Sequence, residues 1–177
     1  MHVLLMGLRG SGKTTVGGLL ARQLDGEFID LDDRVLAAFA QTTVADAWSS
    51  HGEQAWRAAE ARVLHELLGR AVAGVSVIAM GGGTPMIESA RGDIQAARTA
   101  GTATVVYLRC TVEELHRRLA GRTDDRPSLT GADPVGETAA VMEAREPVYR
   151  SLADHEYDVS TTSPQQAAAS LRQLVGV

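Results

Sequence analysis

Five short apolar runs punctuate the chain, at residues 2–6, 27–31, 75–80, 102–108 and 156–160. They are rich in Val and Ile or bounded by Gly, as strands buried on both faces are. Between them, apolar residues recur at helical spacing over residues 16–24, 33–39, 44–48, 54–72, 87–100, 112–119, 137–152 and 164–175. Strands alternating with helices predict an α/β fold of three layers, with a parallel sheet covered on both faces. Two helix starts are well marked. Thr111 with Glu114, and Ser163 with Gln166, spell capping boxes, the second with Pro164 at the first helical position. There is no internal repeat and no linker, so residues 1–177 are read as one domain.

Residues 121–136 fit neither period. They are rich in Gly, Asp, Pro and Arg. A loop of that length in a compact domain is functional or disordered, and over a phosphate site its functional form is a mobile lid that excludes water.

Composition narrows the function. Hydrophobic residues make up 45% and the charge is mixed, which describes a globular chain. The net charge of −5 argues against a general nucleic-acid binder. It also requires that an anionic ligand be met by individually placed arginines. The single cysteine, Cys110, cannot form an internal disulfide, which suits a reducing cytosol. It reads as a small buried hydrophobe at a strand end. The longest uncharged run, residues 71–87, contains Ser76, Gly81-Gly82-Gly83 and Pro85, so it is no membrane span. The first residues run straight into a strand and leave no signal peptide. A cytoplasmic protein with no membrane or nucleic-acid partner is expected.

The candidate chemistry centres on Gly7-Leu8-Arg9-Gly10-Ser11-Gly12-Lys13-Thr14, between the first strand and the first helix. Strand, glycine-rich turn, Lys-Thr and helix together make the G-x-x-x-x-G-K-[ST] pattern a phosphate site. Backbone N–H groups converge there on phosphate oxygens, at the positive end of a helix. Lys13 reaches the β- and γ-phosphates, and Thr14 offers its hydroxyl to Mg²⁺. Lys13 is also the only lysine in the chain. The position wants a compact charge on a flexible stem, which a guanidinium does not reproduce.

Further polar groups surround this loop in sequence. Asp30 and Asp32 close the second strand, and period 2 puts them on one face. Carboxylates at that end of a parallel strand can hold Mg²⁺ through water or accept a hydroxyl proton; equally, Asp32 or Asp33 can cap the next helix. Arg57 and Glu60 share a helix face, as partners in a site or as an exposed ion pair. Gly81-Gly82-Gly83 follows the third strand and permits close backbone approach to a ligand, or simply a flexible loop. Arg122 and Arg126 lie in the presumed lid, with Arg145 beyond it, as catalytic cations or solvated charges. The five histidines have no metal spacing and read as structural or surface residues.

Taken in order, these pieces resemble the shikimate kinases, within the nucleoside-monophosphate-kinase-like group of P-loop proteins. The family pattern runs from a Walker A loop through F-x-D-x-D, G-E-x-x-F-R-x-x-E, G-G-G, R-P-L and R-x-P-x-Y, and each has its counterpart between Gly7 and Tyr149. The resemblance implies a five-stranded parallel sheet in the order 2-3-1-4-5, in a P-loop kinase fold. It implies ATP-dependent phosphorylation of the 3-hydroxyl of shikimate, with Mg²⁺, in a monomer. Lys13, Asp32 and Arg126 would then be catalytic. Gly10, Ser11, Gly12, Lys13, Thr14 and Thr15 would hold the phosphates, with Arg126 between substrate and γ-phosphate. Arg122 and Pro164 would lie by the adenine. Thr14, and Asp30 through water, would serve the metal. Residues 33–61 would form the substrate-binding region. Asp32, Arg57, Glu60, Gly81, Gly82, Gly83 and Arg145 would line the acid pocket, with Trp48 and Trp56 as its wall. The chain departs from the pattern at Trp48 and Trp56, where Phe is usual, and at Ser128, where Leu is usual. A gluconate kinase would share the loop and fold but not the run around Arg57 with the triple glycine and Arg145. A GTPase needs an N-K-x-D motif, which a chain whose only lysine is Lys13 cannot supply.

Overall fold

The apolar runs become β1 (His2–Met6), β2 (Glu27–Asp30), β3 (Ser76–Ala79), β4 (Ala103–Arg109) and β5 (His155–Asp158). In the computed structural model, which describes residues 1–120 and 137–176, they form one parallel sheet in the order β2-β3-β1-β4-β5. This is the order expected. β1 lies at the centre and is buried along its whole length, with Leu4 in register with Ile78 on one side and Val105 on the other. Such a strand has no solvent face, which is why its sequence is apolar without alternation.

Seven α-helices are described: α1 (Lys13–Gln23), α2 (Leu31–Phe39), α3 (Val44–Leu68), α4 (Glu88–Thr99), α5 (Val112–Leu119), α6 (Thr138–Leu152) and α7 (Pro164–Val175). Right-handed crossovers put the β1–β2 connection on one face and the β2–β3 and β3–β4 connections on the other. The packing agrees: α1 pairs with α7, while α3 and α6 pack on α4. None of the described helices is long and apolar enough to cross a membrane. Cys110 follows β4 and is buried, and burial pushes its thiol pKa up.

Several boundaries depart from the sequence reading. The segments at 44–48 and 54–72 join into α3, broken only at Gly52, whose φ of 82° no helical residue adopts. α3 then stops at Leu68, four residues short, because Gly69 caps it on the His65 carbonyl. Ser163 and Gln166 form the full capping box, but Thr111 caps α5 alone. Glu114 turns instead to Arg117 and Arg118, and the Thr111 N–H that would complete the box donates to Ser160 Oγ at 3.0 Å. The largest change is at β2, which ends at Asp30. The Asp30 side chain accepts from the Asp32 N–H at 3.1 Å and starts α2 at Leu31. Asp32 thus stands in the first turn of a helix, and the two aspartates do not share a strand face. The cap is Asp30, neither Asp32 nor Asp33.

Candidate active site

The C-terminal ends of β1, β2, β3 and β4 open onto one edge of the sheet, where α/β folds bind ligands. From β1, residues 7–12 turn into α1. Lys13 opens that helix, and its Nζ donates to the carbonyls of Gly7 and Leu8, each at 2.9 Å. Thr14 Oγ1 donates to Asp30 Oδ2 at 2.8 Å. Asp30 therefore divides its two oxygens between the cap of α2 and the phosphate loop.

Beside the loop lies a cleft of about 710 Å³, counting its open side. Its polar lining comes from Asp32 on α2, Arg57 and Glu60 on α3, and Arg145 on α6. Trp48 and Trp56 line it as well, together with Gly82 and Gly83. Trp56 is buried and stacks on Phe39, with ring centroids 6.0 Å apart. Trp48 is half-buried beneath the Arg57 guanidinium, whose carbon stands 5.3 Å from the ring centroid. Arg57 meets Glu60 at 2.6 Å, and Glu60 is only 1% exposed. This is a partly buried pair, not a solvated one. Both Glu60 oxygens are engaged, one by Arg57 and one by the Thr84 hydroxyl at 2.7 Å. In a pocket for an acid, such a carboxylate orients the cation rather than meeting the ligand.

The triple glycine is divided. Gly82 and Gly83 face the cleft, but Gly81 sits behind them, where an added Cβ would stand 2.4 Å from Glu60 Oε1. A Cβ on Gly83 would fall 2.3 Å from Arg57 Nη1, so only glycine lets the guanidinium lie on this loop. A Cβ on Gly82 would stand 3.3 Å from the Gly7 carbonyl oxygen and 3.4 Å from Arg145 Nη1. Its own carbonyl accepts from the hydroxyl of Tyr149, which is fully buried. Burial pushes that hydroxyl's pKa up, against the pull of the Arg145 guanidinium beside it.

On the other side of the loop runs a second groove, of about 770 Å³. Ser11, Gly12 and Pro164 line it, with residues 159–163. Thr15 is exposed on the first turn of α1, away from the groove lining. Arg118 ties the walls together. It donates to the carbonyls of Val159 at 2.6 Å and Gly10 at 3.3 Å, and to Glu114 at 2.7 Å. Arg117 grips the same Glu114, and the two cations hold its carboxyl at a pKa of about 2. Sequence reasoning missed Arg118; its only signal was an arginine four residues after a glutamate. It also missed Arg9, Glu137 and Thr138, which line the acid cleft. Arg122, Arg126, Ser128 and the expected lid fall outside the described residues.

Against this geometry, the sequence model of the shikimate kinase family matches residues 9–175. The chain belongs to the shikimate kinase family. "Shikimate kinase 2" of Sodalis glossinidius is 39% identical over 175 residues, covering 98% of this chain and 95% of that protein. The shikimate kinase of Symbiobacterium thermophilum is 38% identical over the same length and coverage. A solved structure of shikimate kinase from Acinetobacter baumannii, in complex with shikimate, superposes with a TM-score of 0.86. It is 30% identical and aligns 98% of this chain with 92% of that one.

Proposed function

We propose that this chain transfers the γ-phosphoryl group of ATP to the 3-hydroxyl of shikimate. The products are ADP and shikimate 3-phosphate, a step of aromatic amino-acid biosynthesis. One observation carries the reading: a cleft with three arginines and an aspartate opens directly against the phosphate loop, whose Leu8 and Arg9 join Gly82 and Gly83 in its lining. Arg57 and Arg145 supply planar donors that match a carboxylate and fix its orientation. Asp32 accepts the hydrogen bond of the acceptor hydroxyl. The groove beyond the loop takes the nucleotide, with Arg118 and Pro164 among its walls.

Thr14 and Asp30 present hard oxygen donors 2.8 Å apart at the phosphate end, a set that fits Mg²⁺. They would hold it directly and through water, and the ion would neutralise charge on the phosphates. Everything else asked of the protein is placement. Lys13 meets the phosphates, the arginines hold the acid, and the acceptor oxygen is kept in line. The chain acts in the cytoplasm, as a monomer on two soluble substrates. The test is ADP release with shikimate, gluconate and nucleoside monophosphates in parallel. Saturable release with shikimate alone supports the reading, and release with gluconate in its place overturns it.

A further inference from the structure

Arg57 is held from three sides. Its Nη1 donates to Glu60 Oε2 at 2.6 Å, and its Nε and Nη2 donate to Glu53 Oε1 at 3.3 and 3.1 Å. Trp48 lies beneath it. Among the described residues, these bonds use three of its five N–H groups and leave one on each terminal nitrogen. Those two are the donors left for an arriving carboxylate. Where the pair points depends on how the Glu60 carboxylate is turned.

Glu60 is too deeply buried to be turned by water. Its other oxygen, Oε1, accepts from Thr84 Oγ1 at 2.7 Å. Thr84 has no exposed surface and opens a single 3-10 turn, Thr84–Met86. Its N–H donates to the Gly81 carbonyl at 3.1 Å, so the hydroxyl is anchored to the glycine loop itself. Gly81 leaves the room for this arrangement: a Cβ there would stand 3.0 Å from Thr84 Oγ1 as well as against Glu60. A continuous path thus runs from loop backbone through Thr84 and Glu60 to Arg57.

We propose that Thr84 is a positioning residue for the acid substrate. Its hydroxyl fixes the rotation of Glu60, and Glu60 aims Arg57. Without that donor, a buried carboxylate oxygen is left unsatisfied, and the carboxylate turns toward the nearest remaining donor, Arg57. The guanidinium then follows Glu60 and loses its alignment with the ligand. The inference rests on reading the cleft as the shikimate pocket.

The test uses the full chain with Thr84→Val, which keeps the branch and removes the hydroxyl, and Thr84→Ser, which keeps the hydroxyl. Thr84→Val should raise KM for shikimate about tenfold, the scale of a hydrogen bond to a charged group. KM for ATP should stay within about twofold, and Thr84→Ser should restore most of the loss. In a double-mutant cycle, Thr84→Val should add nothing to Glu60→Gln, because both cut one path. An unchanged shikimate KM, equal losses for both substrates, no recovery with serine, or additive losses would each overturn the proposal. If the valine variant fails to fold, Thr84→Ala must show the same split between substrates, and an even loss rejects the idea. Wild-type protein that ignores shikimate would sink the functional reading instead, so the two failures are distinguishable.

Discussion

The acid cleft and the nucleotide groove share the phosphate loop but are made of different material. The cleft is a construction of side chains. Arg57, Glu60, Thr84 and Trp48 hold one another, and three of these contacts are wholly or partly buried. The groove is tied through backbone: Arg118 gathers carbonyls from β1's loop and from the turn after β5, with Glu114, Arg117 and a run of small polar residues along its walls. A packed side-chain network discriminates a small acid by shape and charge, but each member depends on the next. The groove's walls are joined through carbonyls that substitution of their own side chains does not remove, and it depends chiefly on the arginine that gathers them. The two ends should therefore fail differently.

Lys13 belongs to both ends, and its loss should be the largest effect. It holds the Gly7 carbonyl, which in turn backs Gly82. Lys13→Met should lower kcat by at least about a hundredfold, the scale of removing one group that stabilises transferring charge. The circular-dichroism melt should stay cooperative. Near-normal turnover in the folded variant would remove the phosphate loop from the chemistry.

Arg57→Ala tests the acid end alone. Shikimate binding should weaken by about 1.5–3 kcal/mol, with ATP affinity unchanged in calorimetry. The variant should also melt earlier, because Glu60 is left buried without its cation. Equal losses for both ligands would erase the distinction between the two regions.

Arg118→Ala is the counterpart at the nucleotide end. ATP affinity should fall by about 1–2 kcal/mol and shikimate affinity should hold. Arg118→Lys should recover little, since one ammonium cannot span the Val159 and Gly10 carbonyls and Glu114 as a fork does. The Glu114 carboxyl has its pKa depressed to about 2. Its pairing is fully present above the ordinary carboxylate range and is lost only as pH falls through that depressed value. The affinity difference between wild type and Arg118→Ala, in which the nucleotide's own titration cancels, should thus stay level in mildly acidic buffer, and a midpoint near the ordinary carboxylate pKa in that difference would show that Glu114 is not held.

What the chain disclosed beforehand follows the same division. Central strands of a parallel sheet are apolar throughout, so β1, β3 and β4 stood out, while the sheet order followed only from the family resemblance. The phosphate loop was legible because its function needs particular residues at contiguous positions. The Arg57–Glu60 pair was visible as spacing, but its burial was not, because burial comes from Thr84 and Gly81 in another part of the chain. Asp32 was misjudged as a strand residue sharing a face with Asp30, since a strand and a capped helix start look alike until the backbone turns. Arg118 showed only its spacing from Glu114, as its other partners are backbone carbonyls that no side-chain pattern announces.

The smallest effect is spectroscopic, and it sharpens the picture of the acid end. The chain's two tryptophans both line the cleft but stand in different surroundings. Trp56 is 2% exposed and stacked on Phe39 at an interplanar angle of 14°, so its environment is set by packing. Trp48 lies half-buried under Arg57, where an arriving carboxylate neutralises the cation above the ring and displaces water. Shikimate without nucleotide should therefore change the intrinsic emission in a saturable way, and gluconate at the same concentration should not. ATP alone should give less, acting only through closure. Trp48→Phe should remove most of the shikimate response, while Trp56→Phe should retain it and lower only the baseline. Thr84→Val should move the midpoint of the titration to higher shikimate without changing its amplitude, since the indole still senses the same ligand once it is bound. If Trp56→Phe abolishes the response and Trp48→Phe does not, the acid docks deeper in the cleft than the Arg57–Trp48 stack, and the guanidinium pair is not its anchor.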